Sequence, residues 1–277
     1  MRLALLFRRS LFGSVNSPLP HIAPESLEEE LRLGACLGRG GMSQVWAATR
    51  STGTPIAVKA SNPDVLNHVA ARELILREYR FLNELSHRNI VSVLGLMEMG
   101  GEIGLVMEYV GGGDLVSLAG GKPRQWVPVA AQLASALRYI HASGILHRDI
   151  KVRNVLLRPG DEPCLIDFSL AMAVGARALQ GGGTADYQSA NQKQGGPPTV
   201  GDDVHSFAAL IYELWTGTLP FSGNPSLDIL ESGGIAGLQS LADLVSKALS
   251  PVIKEPYEDI SPFVDALELA SIELSMM

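Results

Sequence analysis

The sequence predicts an α+β chain with two lobes, a small strand-rich one carrying one main helix and a larger one that is mainly helical. Three observations carry this. Short apolar runs separated by turn residues fill the N-terminal part, and a single long stretch of three- and four-residue apolar spacing interrupts them. Beyond the glycine run Gly111-Gly112-Gly113, apolar residues recur with the helical period instead. No internal repeat of fixed period is visible.

The elements follow in order. Residues 1–30 read as an N-terminal arm and linker, because Gly13, Pro18, Pro20 and Pro24 break any regular pattern after the arm. Within residues 1–12 a short apolar run is flanked by Arg2, Arg8 and Arg9. It falls short of the ~7–15 apolar residues of a signal-peptide core. A weak membrane-surface contact is one reading, an arm or frayed tail the plainer one. Strands are expected at Leu31–Leu37, Val45–Thr49 and Ile56–Ala60. A helix from Val69 to Leu85 follows, with Leu74, Tyr79 or Glu78, Phe81, Leu82 and Leu85 at helical spacing. Strands at Val91–Met97 and Ile103–Glu108 complete the small lobe. Long apolar helices are expected at Trp126–Ala142 and Val204–Leu214, with shorter ones within 226–249 and 260–274.

Composition removes several classes. A chain of 277 residues, 46% apolar and 18% charged, is too apolar for disorder and long enough for a full core. The net charge of −7 argues against a nucleic-acid binder, which usually carries a basic excess. No apolar run approaches the ~18 residues or more of a membrane span. Cys36 and Cys164 are too few for a disulfide framework or a four-ligand zinc site, and both are expected to be buried. A cytoplasmic location is the expectation.

The chemistry concentrates at three places. Gly38, Gly40 and Gly41 lie between two strands, where missing Cβ atoms let backbone N–H groups close over phosphate; alone, such a run is an ordinary hairpin turn. Lys59 ends an apolar strand, and a buried lysine there needs an anion. Glu78 is favoured because it shares a face with Leu74, Leu82 and Leu85, while Glu73 and Glu84 stay open as alternatives. In ILHRDIKVRNVLL, His147, Arg148, Asp149, Lys151 and Asn154 form a polar loop between apolar segments, and LIDFSLA then places Asp167 at the end of another apolar strand. Two separated acids beside an asparagine suit metal-assisted phosphoryl transfer.

With these motifs the sequence resembles the eukaryotic-type (Hanks-type) serine/threonine protein kinase family over about residues 31–270. The glycine-rich loop, AVKA, HRDIKVRN, DFS at 167–169, GTADY at 183–187 and DDVHSFAALIYELWTG carry the resemblance. It implies a bilobal protein kinase-like domain over 31–277, with an N-lobe at 31–107, a hinge at 108–110 and a C-lobe at 111–277. It implies ATP and Mg²⁺ as cofactors and a protein as the second substrate. Lys59, paired with Glu78, would hold the nucleotide phosphates. Asp149 would accept the proton of a serine or threonine hydroxyl, and Lys151 would neutralise the transferring group. Asn154 and Asp167 would hold Mg²⁺, and Thr184 would brace Asp149 and Lys151. Leu37, Val45, Ala57 and Leu156 would line the adenine slot, and Met107 would control its rear pocket; Glu108, Tyr109 and Val110 would supply its backbone hydrogen bonds, and Asp114 would meet ribose. Leu82, His147 and Phe168 resemble the family's stacked apolar column, which makes His147 a core residue rather than a base.

This chain departs from the family at several positions. Ser169 replaces the glycine of the metal-binding triplet, at a cost if its backbone is left-handed. Asn191 stands where a carboxylate would pair with an arginine, and Lys254 occupies roughly that arginine's place. Between Ser169 and Thr184 no side chain offers a hydroxyl for phosphorylation. These departures keep an alternative in view, a pseudokinase that binds nucleotide or recruits a partner without transferring phosphate.

Overall fold

The computed structural model describes residues 31–62, 68–99, 102–176, 182–220, 230, 233–250 and 257–277. The arm and linker expected at 1–30, Lys254 and most of 226–232 lie outside the described residues. The chain divides into two compact units. One ends at Tyr109; the other takes His87–Ile90 and continues from Val110.

The first unit is built on a five-stranded antiparallel sheet of β1 (Arg32–Arg39), β2 (Ser43–Thr49), β3 (Pro55–Ser61), β4 (Val93–Met99) and β5 (Glu102–Glu108), in the order β1-β2-β3-β5-β4. Ile56 and Val58 of the central β3 pack with Ala48 and Val106 as a small core. Helix α1 (His68–Asn83) lies against β3, β4 and β5 and buries Ala71, Ile75, Leu76, Glu78, Phe81 and Leu82. It stops before the expected Leu85, because the amides of Glu84 and Leu85 turn back to the carbonyls of Phe81 and Leu82 in a tighter bond pattern. Leu74 is only partly buried. Strand β1 runs past Leu37 to Arg39 through register irregularities around Cys36, and Cys36 is half-buried rather than buried as expected.

The second unit begins with a 3₁₀ turn at Leu115–Leu118 and helix α2 (Pro123–Ala142). Short ladders then join β6 (Ile145–Leu146) to β9 (Met172–Ala173), and β7 (Val155–Arg158) to β8 (Glu162–Leu165). Helices α3 (Ala190–Lys193), α4 (Val200–Thr216), α5 (Ala236–Leu249) and α6 (Ser261–Met276) complete it. The core joins α2 to α6 and α4 to α5, with Phe207 and Phe263 edge to face at 5.7 Å. Buried residues cover nearly every face of α4, as befits a central helix. No helix extends through the expected 226–249 stretch: Gly233 and Gly234 turn the chain at φ 59° and 82°, and α5 starts only at Ala236. Among the described residues no helix is long and apolar enough to cross a membrane.

Candidate active site

In the first unit the sheet register brings Lys59 opposite Val45 and Leu105, and Ala57 opposite Met107. Lys59 Nζ lies 2.8 Å and 2.7 Å from the two carboxylate oxygens of Glu78, with both side chains almost fully buried. Glu73 and Glu84 are exposed, so burial singles out Glu78 among the three acids. Gly38 is a strand residue opposite Val45. Gly40 and Gly41 form the turn, closed by a 2.8 Å bond from the Gly40 amide to the Ser43 carbonyl. Leu37 is exposed, Val45 half-buried and Met107 buried. Glu108 is fixed to Ser92 through its backbone amide (3.0 Å) and through Oε1, which accepts from the Ser92 amide at 2.7 Å.

In the second unit the polar loop hangs on one buried carboxylate. Asp203, near the start of α4, accepts from the amides of His147 and Arg148, each at 2.8 Å, and lies 3.0 Å from His141 Nε2. Burial alone would raise its pKa. The His141 hydrogen bond and charge and the His147 amide outweigh burial and hold it below the usual carboxylate value. Gripped from this side, Arg148 adopts a left-handed backbone at φ 69°. His147 is fully buried and stacks edge-on to Phe168 at 4.7 Å. Its Nδ1 accepts from the Asp149 amide, so Nε2 carries the proton and donates to the Ile166 carbonyl at 3.0 Å. It is therefore a core histidine, as expected.

Asp149 is the hub. Oδ1 accepts from the Thr184 amide at 3.0 Å and from Thr184 Oγ1 at 3.1 Å. Oδ2 accepts from Lys151 Nζ at 2.7 Å and from Asn154 Nδ2 at 2.8 Å. Lys151 also donates to Thr184 Oγ1 at 2.7 Å, closing a ring of three side chains. The Ile166 amide bonds the Asn154 carbonyl at 2.9 Å, drawing the next residue, Asp167, toward this loop. Within Asp167-Phe168-Ser169 it is Asp167 that takes the left-handed backbone (φ 62°), and Ser169 does not, so the serine costs no backbone strain. Ser169 Oγ instead donates to Asp167 Oδ1 at 2.7 Å.

Because Asn154 turns its amide nitrogen to Asp149, its carbonyl oxygen faces the other way. That amide oxygen and the Asp167 carboxylate are hard oxygen donors, the ligand type that suits Mg²⁺. Among the described residues no group of three or more His, Cys, Asp or Glu side chains could hold a metal alone. A phosphate-bound ion that keeps several waters matches so small a protein share. Val110 is buried, and Leu156 bridges Asp114 across the strand edge. The Gly112 amide bonds the Leu157 carbonyl at 3.0 Å, and a Cβ at Gly112 would overlap that carbonyl. Asp114 caps the 3₁₀ turn through the Val116 amide, and its other oxygen lies 3.5 Å from Arg153 Nη1.

Sequence reasoning missed three contacts here. Tyr187 donates a short hydrogen bond to Glu213. Burial first, then this bond, raises the pKa of the phenol, and burial raises that of Glu213. Gln192 reaches the Arg148 carbonyl at 3.2 Å. Asp202 is buried and takes hydrogen bonds from three residues, Asn191 among them. The adjacent acids Asp202-Asp203 were the available signal, but only the second was used.

The model of the family described as protein kinase domain matches residues 31–267. The chain is 33% identical over 218 residues to the serine/threonine-protein kinase pkn2 of Myxococcus xanthus, covering 73% of this chain and 26% of that protein. It is 35% identical over 217 residues to the serine/threonine-protein kinase PkaA of Streptomyces coelicolor, covering 70% and 40%. With the serine/threonine-protein kinase PknB of Mycobacterium tuberculosis it shares 32% over 221 residues, covering 74% and 35%. The chain thus spans well under two thirds of the length of these relatives. The ring around Asp149, the buried Lys59–Glu78 pair and the extent of the match agree: the chain belongs to the protein kinase domain family.

Proposed function

We propose that this chain transfers the γ-phosphoryl group of ATP to serine or threonine hydroxyls of protein substrates. The observation that carries the reading is the Asp149 carboxylate, oriented by Lys151, Asn154 and Thr184 on its two oxygens. A substrate hydroxyl beside Asp149 would give up its proton to that carboxylate as the oxygen attacks. Lys151, two residues away and already bonded to Asp149, would offset charge that builds on the transferring group. Bound Mg-ATP supplies the phosphoryl group and the metal charge that balances its oxygens. Lys59, fixed by Glu78, would hold the nucleotide phosphates; Gly38, Gly40 and Gly41 would cover them, and Asn154 and Asp167 would hold the metal. In the first unit Leu37, Val45 and Ala57 would meet adenine, Met107 would control the rear pocket and Glu108 would be a backbone partner; in the second, Leu156 would meet adenine, Val110 would be a backbone partner and Asp114 would meet ribose. The similar proteins named above, all serine/threonine-protein kinases, support the choice of hydroxyl. The demand for ATP supports a cytoplasmic site of action.

The test is transfer of labelled γ-phosphate from Mg-ATP to a peptide library, followed by phosphoamino-acid analysis. Phosphoserine and phosphothreonine should dominate. A hydrolysate dominated by phosphotyrosine would overturn the hydroxyl assignment. No label above the level without protein would leave a nucleotide-binding or recruiting module.

A further inference from the structure

Asp202 and Asp203 are neighbours in the first turn of α4, and each grips a different strand of the site. Asp203 holds the amides of His147 and Arg148. Asp202, 2% exposed, holds the other side. Its Oδ1 accepts a short bond from Ser189 Oγ, and Asn191 Nδ2 reaches both oxygens at 3.1 Å and 3.0 Å. The Thr199 amide and Oγ1 donate to Oδ2 at 2.8 Å and 3.2 Å. Among the described residues all its hydrogen-bond donors are neutral. A buried carboxylate survives without a cation only when hydrogen bonds fill its lone pairs, and the positive end of a helix dipole adds to them. The loop is closed tightly: Asn191 Nδ2 also bonds the Pro197 carbonyl at 2.9 Å, and a Cβ at Gly196 would strike Asn191 Oδ1.

The segment that Asp202 holds leads straight back to Asp149. Thr184, whose amide and hydroxyl orient Asp149, is turned onto Tyr187 by a 2.9 Å bond between the Tyr187 amide and the Thr184 carbonyl. The Tyr187 carbonyl is pinned by Ser206 Oγ of α4 at 2.8 Å, and Ser189 follows two residues later. We propose that Asp202 is a positioning residue: through Ser189, Asn191 and Thr199 it fixes residues 184–199 to the base of α4 and thereby sets where Thr184 meets Asp149. The inference rests on the reading of Asp149 as the site of transfer. It also gives Asn191 a job, as a donor to a carboxylate thirteen positions beyond Ser189 in the same clamp.

The experiment uses the full chain, with Asp202→Asn and the swap Asn191→Asp with Asp202→Asn. In the single variant an amide nitrogen faces donors, so Asn191 and Thr199 lose an acceptor. The swap restores one donor–acceptor pair between positions 191 and 202 at unchanged net charge relative to wild type. Two readouts are taken, amide hydrogen exchange and steady-state kinetics. Asp202→Asn should speed exchange across residues 182–199 by about tenfold or more while residues 205–214 stay protected. It should lower peptide kcat/KM by about tenfold or more, with ATP affinity within about twofold of wild type. The swap should recover most of both losses. Should Asp202→Asn not fold, Ser189→Ala removes one donor only and should give the same pattern at smaller size. Unchanged exchange at 182–199 overturns the proposal, as does exchange raised evenly across the second unit without recovery in the swap. A wild type that transfers no phosphate, yet loosens at 182–199 in the variant, sinks the kinase reading and leaves the positioning of Thr184 standing.

Discussion

Asp149 takes four side-chain or backbone donors on two oxygens, so its carboxylate plane is fixed before any substrate arrives. Thr184 supplies two of these bonds and also meets Lys151, which makes its hydroxyl the joint of the ring. Thr184→Val should therefore lower kcat about tenfold, since a polar pair loses its partner while the amide bond remains, and Thr184→Ser should stay within about twofold of wild type. Steady-state rates on one peptide check both; equal rates in the valine variant would deny the hydroxyl any part. The Lys59–Glu78 pair makes a separate prediction for stability. Glu78→Ala takes from the buried Lys59 ammonium the carboxylate it meets and should cost about 3–5 kcal/mol, whereas replacing both, Lys59→Met with Glu78→Leu, should cost less. Denaturant melts of the two variants decide the order. At this scale Glu78 was legible because it shares the buried stripe of α1, and His147 because apolar segments flank it. Ser169 was not, since sequence cannot say whether Asp167 or Ser169 takes the left-handed backbone. Nor was the Tyr187–Glu213 bond, which joins residues of no shared period.

Helix α4 shows how one element can organise a site it does not enter. Its first turn carries the two acids that hold the loop at His147–Arg148 and the segment Ser189–Thr199, and its buried body anchors both to the core. Asp203 has a folded pKa below its ordinary 3.8, so its contribution to stability is present above that value and fades as pH falls through the folded pKa. Wild type should thus melt higher than Asp203→Asn at pH 6–7, and the gap should narrow steadily below about pH 4. A gap independent of pH would mean that Asp203 acts only by packing. Elements of this kind were legible where apolar period and length agreed, as in α2 and α4. Boundaries were less so: β1 runs on through an irregular register that no alternation predicts, and the glycine pair before α5 ends a run whose composition still reads as helical.

For the molecule as a whole, the order of the motifs made the family legible, because glycine loop, lysine, catalytic loop and metal triplet are set by chemistry. The substitutions for lost family contacts were not, since they depend on which distant residues meet. Arg148 is one such case. Its guanidinium is buried and Nη1 meets Met172 Sδ at 2.7 Å, with no carboxylate paired to it among the described residues. The sequence between Ser169 and Thr184 offers no hydroxyl that a phosphate could occupy to serve it. Phosphatase-treated protein, verified by intact mass, should therefore phosphorylate peptide at the untreated rate with no lag. A lag that ends as one phosphate is gained between residues 169 and 184 would contradict this. The central claim is that Asp149 takes the hydroxyl proton while other residues hold the nucleotide, and it is tested most directly by Asp149→Asn. Mg-ATP affinity and the initial rate of peptide phosphorylation are measured side by side on wild type and variant. The account predicts affinity within about twofold and a rate at least ~100-fold lower; equal rates in the two proteins would contradict it.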